Sequence, residues 1–288
     1  IIDHSSSEIS TEDAAVLLEA VRKELENDIY KFYVGTSYRH LTIWDKGEVV
    51  DLTPPHDVLG QKIGQYLPKD DKLREMMKKS YDILSNHPIN VERMKRGLNP
   101  ANSLWFWGAG TRPMLTSFEE KTGHKGAMIS AVDLLKGIAV GAGMKVIEVE
   151  GANGGLDTNY EGKADAAVDV LLNGGCDFAY IHLEAPDEMG HQGSYERKVK
   201  AIENLDKRII KRVVEKMEAA GEDFRMLVLP DHPTPVAIRT HVSDPVPYML
   251  YDSTDKKNNT WSYNEKDGEA SGNYIAEGHT IINRLFEK

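Results

Sequence analysis

The sequence has little cysteine: Cys176 is the one cysteine among its 288 residues. A single cysteine excludes an internal disulfide framework and is typical of a reducing compartment, so we predict a cytoplasmic protein. Basic residues are also outnumbered, with 35 Lys and Arg against 46 Asp and Glu and a formal net charge of -11. Nucleic acid is therefore not the expected partner, because binding its phosphates requires a basic surface. A small anionic substrate needs only a few local Arg and Lys residues.

Long hydrophobic runs are absent too, and no stretch has the roughly 20 consecutive apolar residues that cross a bilayer. We therefore predict no membrane partner. The chain starts at Ile1 rather than at a methionine, so we expect a processed or truncated part of a longer protein. The length predicts about two domains.

Residues 1–113 show the mixed pattern of an α+β domain. Ser10 precedes apolar residues at helical spacing, which predicts a capped helix. β-rich residues alternate between Ile29 and Trp44 and predict two strands, while Leu73 to Leu84 predicts a second amphipathic helix. The stretch from Asn99 to Pro113 contains two tryptophans and two glycines and is typical of a linker or cleft wall between domains.

Residues 114–288 instead alternate strands with helices, which predicts an α/β domain with a parallel sheet. The predicted strands cover 125–130, 145–149, 178–184 and 225–229, and the predicted helices cover 131–142, 163–172 and 195–219. Asp157 is either a site residue or the N-terminal cap of the second of these helices, and we favour the cap.

Metal-binding side chains follow the third and fourth predicted strands. Asp187 and His191 come after the third strand, four residues apart, and a helical turn would bring both to one side. Asp231 and His232 come directly after the fourth strand, and His241 lies in the loop beyond. Because parallel strands end at one edge of a sheet, where α/β folds bind ligands, we expect these side chains to converge.

The residue types in this group suit Mn or Zn, because carboxylates and imidazoles are present without cysteine. The Asp187–His191 pair alone is more typical of a helix cap and a surface residue. His241 alone is more typical of an ordinary loop residue. Three separate segments with ligand-type side chains at one sheet edge nevertheless predict a metal site.

Three segments that carry these residues resemble the metal motifs of the alkaline phosphatase superfamily: Pro186 to His191, Leu229 to Thr234 and Thr240 to Pro247. Within the superfamily the sequence is most similar to the cofactor-independent phosphoglycerate mutases of the archaeal type. The similarity extends over nearly the whole chain, to residues 37–40, 99–108, 126–137 and 278–279.

The resemblance implies an alkaline-phosphatase-like, mostly parallel sheet flanked by helices, together with an inserted α+β domain. Residues 1–113 would be the inserted transferase-like domain, and residues 114–288 the C-terminal part of the metal-binding domain. The family binds two divalent metal ions, usually Mn; the ligand set here also accepts Zn or Co. Asp187, His191 and His241 would hold one ion, and Asp231 and His232 the other.

The resemblance also implies a small phosphorylated substrate, phosphoglycerate, whose phosphoryl group a serine accepts and returns. Arg39 and Arg112 suit bidentate binding of its carboxylate and phosphate, and Lys136 suits a phosphoryl oxygen. His40 is a further candidate substrate ligand. The structural alternatives are a solvated strand residue for Arg39, an ion pair for Arg112 and a packed histidine for His40.

One part of the family pattern has no match in this sequence. The family's catalytic domain begins with a strand ending in Asp-Gly, followed shortly by the nucleophilic serine. Ser5, Ser6 and Ser7 lie in a different segment, so we assign no catalytic nucleophile. We therefore expect a truncated mutase that does not turn over phosphoglycerate unaided. The alternatives are another phosphomonoesterase or phosphomutase of the superfamily, or a catalytically inactive metal- or phosphate-binding module; the sequence predicts no oligomeric state.

Overall fold

The computed structural model describes residues 1–255 and 260–287. The chain divides into two compact units, Ile1–Pro113 and Met114–Lys288, called unit 1 and unit 2 below. Their assignment to a transferase-like insert and a phosphatase-like domain stays a prediction. None of the helices in the described residues is both long and apolar enough to span a membrane.

Unit 1 is built on an amphipathic helix, α1 (Thr11–Leu25). The helix starts where predicted, because the Ser10 side chain accepts a hydrogen bond from the Asp13 amide at 3.2 Å. Its apolar face is buried in the core of the unit and consists of Ala14, Leu17, Leu18, Val21 and Leu25.

An antiparallel hairpin and two further helices complete the core of unit 1. Strands β1 (Tyr30–Tyr33) and β2 (Leu41–Trp44) pair antiparallel, which confirms the two strands predicted between Ile29 and Trp44. Helices α2 (Asp71–Leu84) and α3 (Pro88–Lys95) follow. Short 3₁₀ turns at Pro55–Val58 and Gly64–Tyr66 lie between β2 and α2.

Unit 2 contains a three-stranded parallel sheet in the order β4-β3-β5. The strands are β3 (Gly126–Ile129), β4 (Lys145–Val146) and β5 (Phe178–Ile181). The central strand β3 is buried at every residue, as expected for a strand covered on both faces. Helices α5 (Asp133–Gly141) and α6 (Tyr160–Leu172) connect the three strands. The α/β class is therefore confirmed.

One predicted member of the parallel sheet pairs differently. Strand β6 (Arg225–Val228) pairs antiparallel with β7 (Met249–Asp252) in a two-stranded ladder of its own within the described residues. All four residues of β6 are half-buried rather than buried. The Arg225 guanidinium also bonds across the pair to Asp252, with Nε 2.6 Å from Oδ2. An apolar run shows that a strand forms but does not show which strand it pairs with.

The helix predicted over 195–219 has three parts: α8 (Tyr195–Asn204), a π-helical turn (Leu205–Ile210) and α9 (Lys211–Ala220). It packs against α6 through an apolar cluster that contains Tyr160, Ala164, Val168, Ile209, Val213 and Met217. The cap predicted at Asp157 is wrong: Asn159 caps α6, and its side chain accepts from the Gly162 amide at 2.9 Å.

The remaining helices in the described part of unit 2 are short. They are α4 (Phe118–Thr122), α7 (Ala185–His191), α10 (Glu265–Ala270) and α11 (Asn283–Phe286), with a 3₁₀ turn at Gly278–Thr280. Of these, α7 matters most for function, because it starts four residues after β5 ends and carries two of the predicted metal ligands.

Candidate metal centre

Helix α7 presents Asp187 and His191 on one side. The two residues are one helical turn apart, and His191 Nε2 lies 3.3 Å from Asp187 Oδ2. Pro186 lies in the first turn, where its missing N–H costs no intrahelical hydrogen bond. The helical turn predicted from the spacing of these two residues is thus present.

Thr234 joins α7 to the segment that follows β6. This threonine is 3 % exposed, and its hydroxyl donates a short hydrogen bond to Asp187 Oδ1. The same oxygen lies 3.3 Å from His232 Nδ1. Since the hydroxyl proton goes to the carboxylate, the Thr234 oxygen accepts from His232 Nδ1–H, which leaves the His232 Nε2 lone pair free. Thr234 therefore orients one carboxylate and one imidazole together.

His241 completes the group. Its Nε2 lies 3.3 Å from Asp187 Oδ1 and 3.0 Å from His191 Nε2. Its ring centroid is 3.8 Å from that of His232. Asp187, His232 and His241 together offer ligand atoms that all lie within 4.8 Å of one another. The structure thus brings four of the five predicted ligands into one cluster, from three separate segments of unit 2.

Asp231 lies at the edge of this cluster. Its side chain is 73 % exposed, with Oδ2 3.3 Å from His232 Nε2. Its Oδ1 accepts from the His232 amide at 3.1 Å. The contacts that join Asp231 to the cluster are those with His232. The predicted division into a three-residue site and a two-residue site stays a prediction.

The donor set fits a divalent transition metal. Ligand atoms about 2.0–2.1 Å from a tetrahedral ion lie about 3.3 Å from one another. The observed separations of 3.0–3.3 Å among Asp187, His191 and His241 match that spacing. One carboxylate with imidazoles suits Mn, Zn or Co by ligand type.

Two polar residues that the sequence did not predict, half-buried His182 and buried Lys163, lie beside the cluster. His182 follows β5 directly, and its Nδ1 lies 3.3 Å from Ser130 Oγ. Burial lowers the pKa of His182, and Lys163 lowers it further, while the charges of Asp231 and Asp187 oppose this shift. Lys163 is 1 % exposed and donates from Nζ to the His182 carbonyl at 3.2 Å. The position of His182 at the end of a strand could have predicted it as a site residue, whereas no sequence pattern indicated Lys163.

Lys136 has an ion-pair partner in unit 2. It lies on α5, and its Nζ is 2.7 and 2.9 Å from the two carboxylate oxygens of Glu148. An ion pair of this kind holds the ammonium in place without a ligand. The predicted contact with a phosphoryl oxygen stays a prediction.

The other three predicted substrate ligands lie in unit 1. Arg39 is exposed in the loop between β1 and β2, with its guanidinium carbon 5.3 Å from the Tyr38 ring centroid. His40 is half-buried; its Nδ1 accepts from the Gly35 amide at 3.2 Å, and burial lowers its pKa. Arg112 is exposed in a segment without helix or strand. The strand position considered for Arg39 is wrong, and the substrate contacts of all three residues stay predictions.

Comparison with known proteins defines the class of the chain. A family model described as Metalloenzyme superfamily matches residues 35–279, so the chain belongs to a superfamily of metal-dependent enzymes. A relative from Geobacter sulfurreducens, named a probable 2,3-bisphosphoglycerate-independent phosphoglycerate mutase, is 42% identical, and the match covers 99% of this chain and 72% of the relative. The chain belongs to the family of 2,3-bisphosphoglycerate-independent phosphoglycerate mutases. Membership in the superfamily implies divalent metal binding.

Further relatives and solved structures agree. A 2,3-bisphosphoglycerate-independent phosphoglycerate mutase from Methanosarcina barkeri is 51% identical, over 89% of this chain and 65% of the relative. The chain thus spans about 65% of the length of that relative. A solved structure of the protein PH0037 from Pyrococcus horikoshii has a TM-score of 0.76 and 24% sequence identity to this chain. The match covers 99% of this chain and 74% of the Pyrococcus chain. The solved structure of a cofactor-independent phosphoglycerate mutase from Thermoplasma acidophilum has a TM-score of 0.60 and 23% sequence identity. That match covers 99% of this chain and 72% of the Thermoplasma chain. These two likenesses show the fold, which fits the expected alkaline-phosphatase-like class.

Proposed function

We propose that the full-length protein, meaning this chain at the length of its relatives, interconverts 2- and 3-phosphoglycerate in the cytoplasm. The clustering of Asp187, His191, His232 and His241 carries the proposal, together with the family membership. The substrate is a small phosphorylated acid, and neither nucleic acid nor a membrane is a proposed partner. The 288-residue chain alone is expected to be inactive, because its sequence has no match to the family's nucleophilic serine.

Two divalent ions, with Mn proposed for both, are the cofactors. Asp187, His191 and His241 would hold the first ion, and Asp231 and His232 the second. When bound, such a pair neutralises charge on the attacking and leaving oxygens of an in-line phosphoryl transfer.

The roles of the protein's own residues follow from their contacts. Thr234 holds the Asp187 carboxylate through its hydroxyl, so that this carboxylate faces His191 and His241. Arg39 and Arg112 would bind the carboxylate and phosphate of the substrate bidentately. His40 would add a hydrogen bond to the substrate, and Lys136 would place a positive charge beside a phosphoryl oxygen.

Metal analysis of the purified chain tests the first part of this proposal. Native mass spectrometry with added Mn should find about one tightly bound ion per chain, because three ligand candidates are already within 3.3 Å of one another. His191→Ala should abolish tight binding. His124→Ala is the matched control, since His124 lies in unit 2 and stacks on Phe286. Equal Mn stoichiometry in all three proteins would contradict the ligand assignment.

Activity assays test the second part. The full-length protein, loaded with Mn, should convert 3-phosphoglycerate to 2-phosphoglycerate without added 2,3-bisphosphoglycerate. The 288-residue chain should show no turnover above background. A metal-loaded full-length protein without mutase activity would contradict the proposed function, and turnover by the chain alone would contradict the proposed need for a further segment.

A further inference from the structure

The loop that carries His241 contains a residue with an uncommon backbone conformation. Arg239 has a φ of +60°, in the left-handed region that non-glycine residues rarely adopt. Its amide donates to the Pro235 carbonyl at 2.8 Å, which closes a tight turn two residues before His241. A non-glycine residue in this conformation requires other contacts that hold it there.

The Arg239 side chain supplies such a contact at the C-terminal end of α7. Its Nη2 donates to the Gln192 carbonyl at 3.0 Å, immediately after His191. The guanidinium also lies directly against Gly193, which has a φ of +68°. The Arg239 guanidinium occupies the space that a Cβ atom at position 193 would take. The side chain therefore fastens the loop to the end of α7.

The Arg239 backbone carbonyl makes the contact that matters for the metal centre. It lies 3.0 Å from His191 Nδ1. A carbonyl oxygen only accepts hydrogen bonds, so Nδ1 must carry the proton. In the neutral ring Nε2 then has the free lone pair, and Nε2 is the atom 3.3 Å from Asp187 and 3.0 Å from His241. Metal-binding histidines commonly have their second nitrogen held in this way.

We propose that Arg239 is a positioning residue of the metal centre. Its guanidinium fastens the loop to Gln192 and Gly193, so that its carbonyl holds His191 with the proton on Nδ1 and the lone pair of Nε2 directed at the metal. The same contact sets the position of His241, two residues further along. This proposal rests on the metal site proposed above, but the protonation of His191 is measurable without any metal.

Arg239→Asn and Arg239→Ala test the proposal. Asn tolerates the left-handed backbone, so this variant removes the guanidinium and leaves the turn, whereas Ala removes the guanidinium and strains the turn. Arg197→Ala is the matched control, because Arg197 Nη1 bonds to the Gln192 side chain at 2.6 Å. Circular dichroism checks that each variant is folded.

Nitrogen NMR of the metal-free protein at alkaline pH reports which nitrogen of His191 carries the proton. We expect protonated Nδ1 in the wild type and in Arg197→Ala, and a mixture of both forms in the two Arg239 variants. Mn titration should show about a 10- to 100-fold loss of affinity in both Arg239 variants and none in the control.

Protonation of His191 at Nε2 in the wild type would overturn the proposal. Unchanged Mn affinity in both folded Arg239 variants would overturn it as well. If the wild type binds no Mn, the proposed metal site fails, and the nitrogen spectra of the wild type and the two variants then decide the role of Arg239.

Discussion

At the scale of single residues, the metal centre depends on side chains that bind no metal themselves. Thr234, Arg239 and Lys198 each contact a segment that carries a ligand candidate; Lys198 does so by donating from Nζ to the Thr234 carbonyl at 2.6 Å. Gly190 on α7 lies so close to the Thr234 carbonyl that a Cβ there would collide with it. The α7 backbone and the segment after β6 are thus in direct contact, which fixes Asp187 relative to His232.

Thr234→Val should weaken metal binding. Valine keeps the shape but removes the hydroxyl, so Asp187 Oδ1 and His232 Nδ1 both lose a partner. We expect about a tenfold loss of Mn affinity, as for other residues that orient metal ligands. The free energy of unfolding without metal should fall by about 1 kcal/mol.

Isothermal titration calorimetry with Mn measures the affinity, and urea unfolding of the metal-free protein measures the free energy of unfolding. Thr234→Ser, which keeps the hydroxyl, is the control and should retain most of the affinity. An equal loss in the serine and valine variants would show that the methyl group, and not the hydroxyl, is what matters at this position.

At the scale of elements, the sequence predicted the helix starts and helical turns that depend on residues close together in the chain. The Asp187–His191 spacing predicted the helical turn of α7, and Ser10 predicted the start of α1, because caps and helical repeats involve neighbouring residues. The antiparallel pairing of β6 with β7 was not predicted, because the partner strand lies more than 20 residues further on. The contact of Lys163 with His182 and that of Thr234 with Asp187 were not predicted for the same reason, since they join residues 19 and 47 positions apart.

The packing of α6 against α9 should have a measurable pH dependence. The hydrogen bond from Arg212, followed by that from Lys216, lowers the pKa of Asp165 from 3.8 to about 2. Because the folded-state pKa is below the unfolded one, the stabilisation is complete above pH 4 and is lost as the pH falls from about 4 to 2. The pair is partly exposed, with side-chain exposures of 37% and 39%, so its contribution is only about 1 kcal/mol.

Asp165→Asn should therefore lower the free energy of unfolding by about 1 kcal/mol at pH 7 and by much less near pH 2. Urea unfolding at both pH values measures this difference. A double-mutant cycle with Arg212→Ala isolates the pair, since the loss from Asp165→Asn should shrink when the arginine is absent. A loss that is the same at both pH values would contradict an ionic origin.

At the scale of the whole molecule, the predicted metal ligands belong to unit 2 alone. Metal binding should therefore protect unit 2 and leave unit 1 unchanged. In hydrogen exchange, Mn should slow exchange in peptides that cover residues 184–194 and 230–243, because these segments carry Asp187, His191, His232 and His241. Peptides from α1 and α2 in unit 1 should exchange at the same rate with and without Mn.

Removal of the metal with a chelator should return the exchange of the protected peptides to the metal-free rate. The His191→Ala variant is the control, and its exchange should not respond to Mn. Protection that extends equally over units 1 and 2 would contradict a metal centre built from unit 2 alone.

Unit 1 is predicted to bind substrate through two arginines, and unit 2 is predicted to bind the metal. Enzyme kinetics of the full-length protein test this prediction. Arg39 and Arg112 are exposed in unit 1, and neither belongs to the metal cluster of unit 2. Replacing either arginine by alanine should raise KM or lower kcat for phosphoglycerate, because a bidentate contact with an anion is lost. The Mn content should not change.

Arg96→Ala is the control for this test, since Arg96 is an exposed arginine of unit 1 at the end of α3. It should leave both kinetic constants unchanged. Circular dichroism and thermal unfolding separate a binding role from a structural one, because loss of a substrate contact alters KM or kcat in a protein that remains folded. Loss of the fold in the Arg39 or Arg112 variant would instead assign that arginine to the stability of unit 1. KM and kcat values equal to those of the wild type in both variants would show that neither arginine binds the substrate.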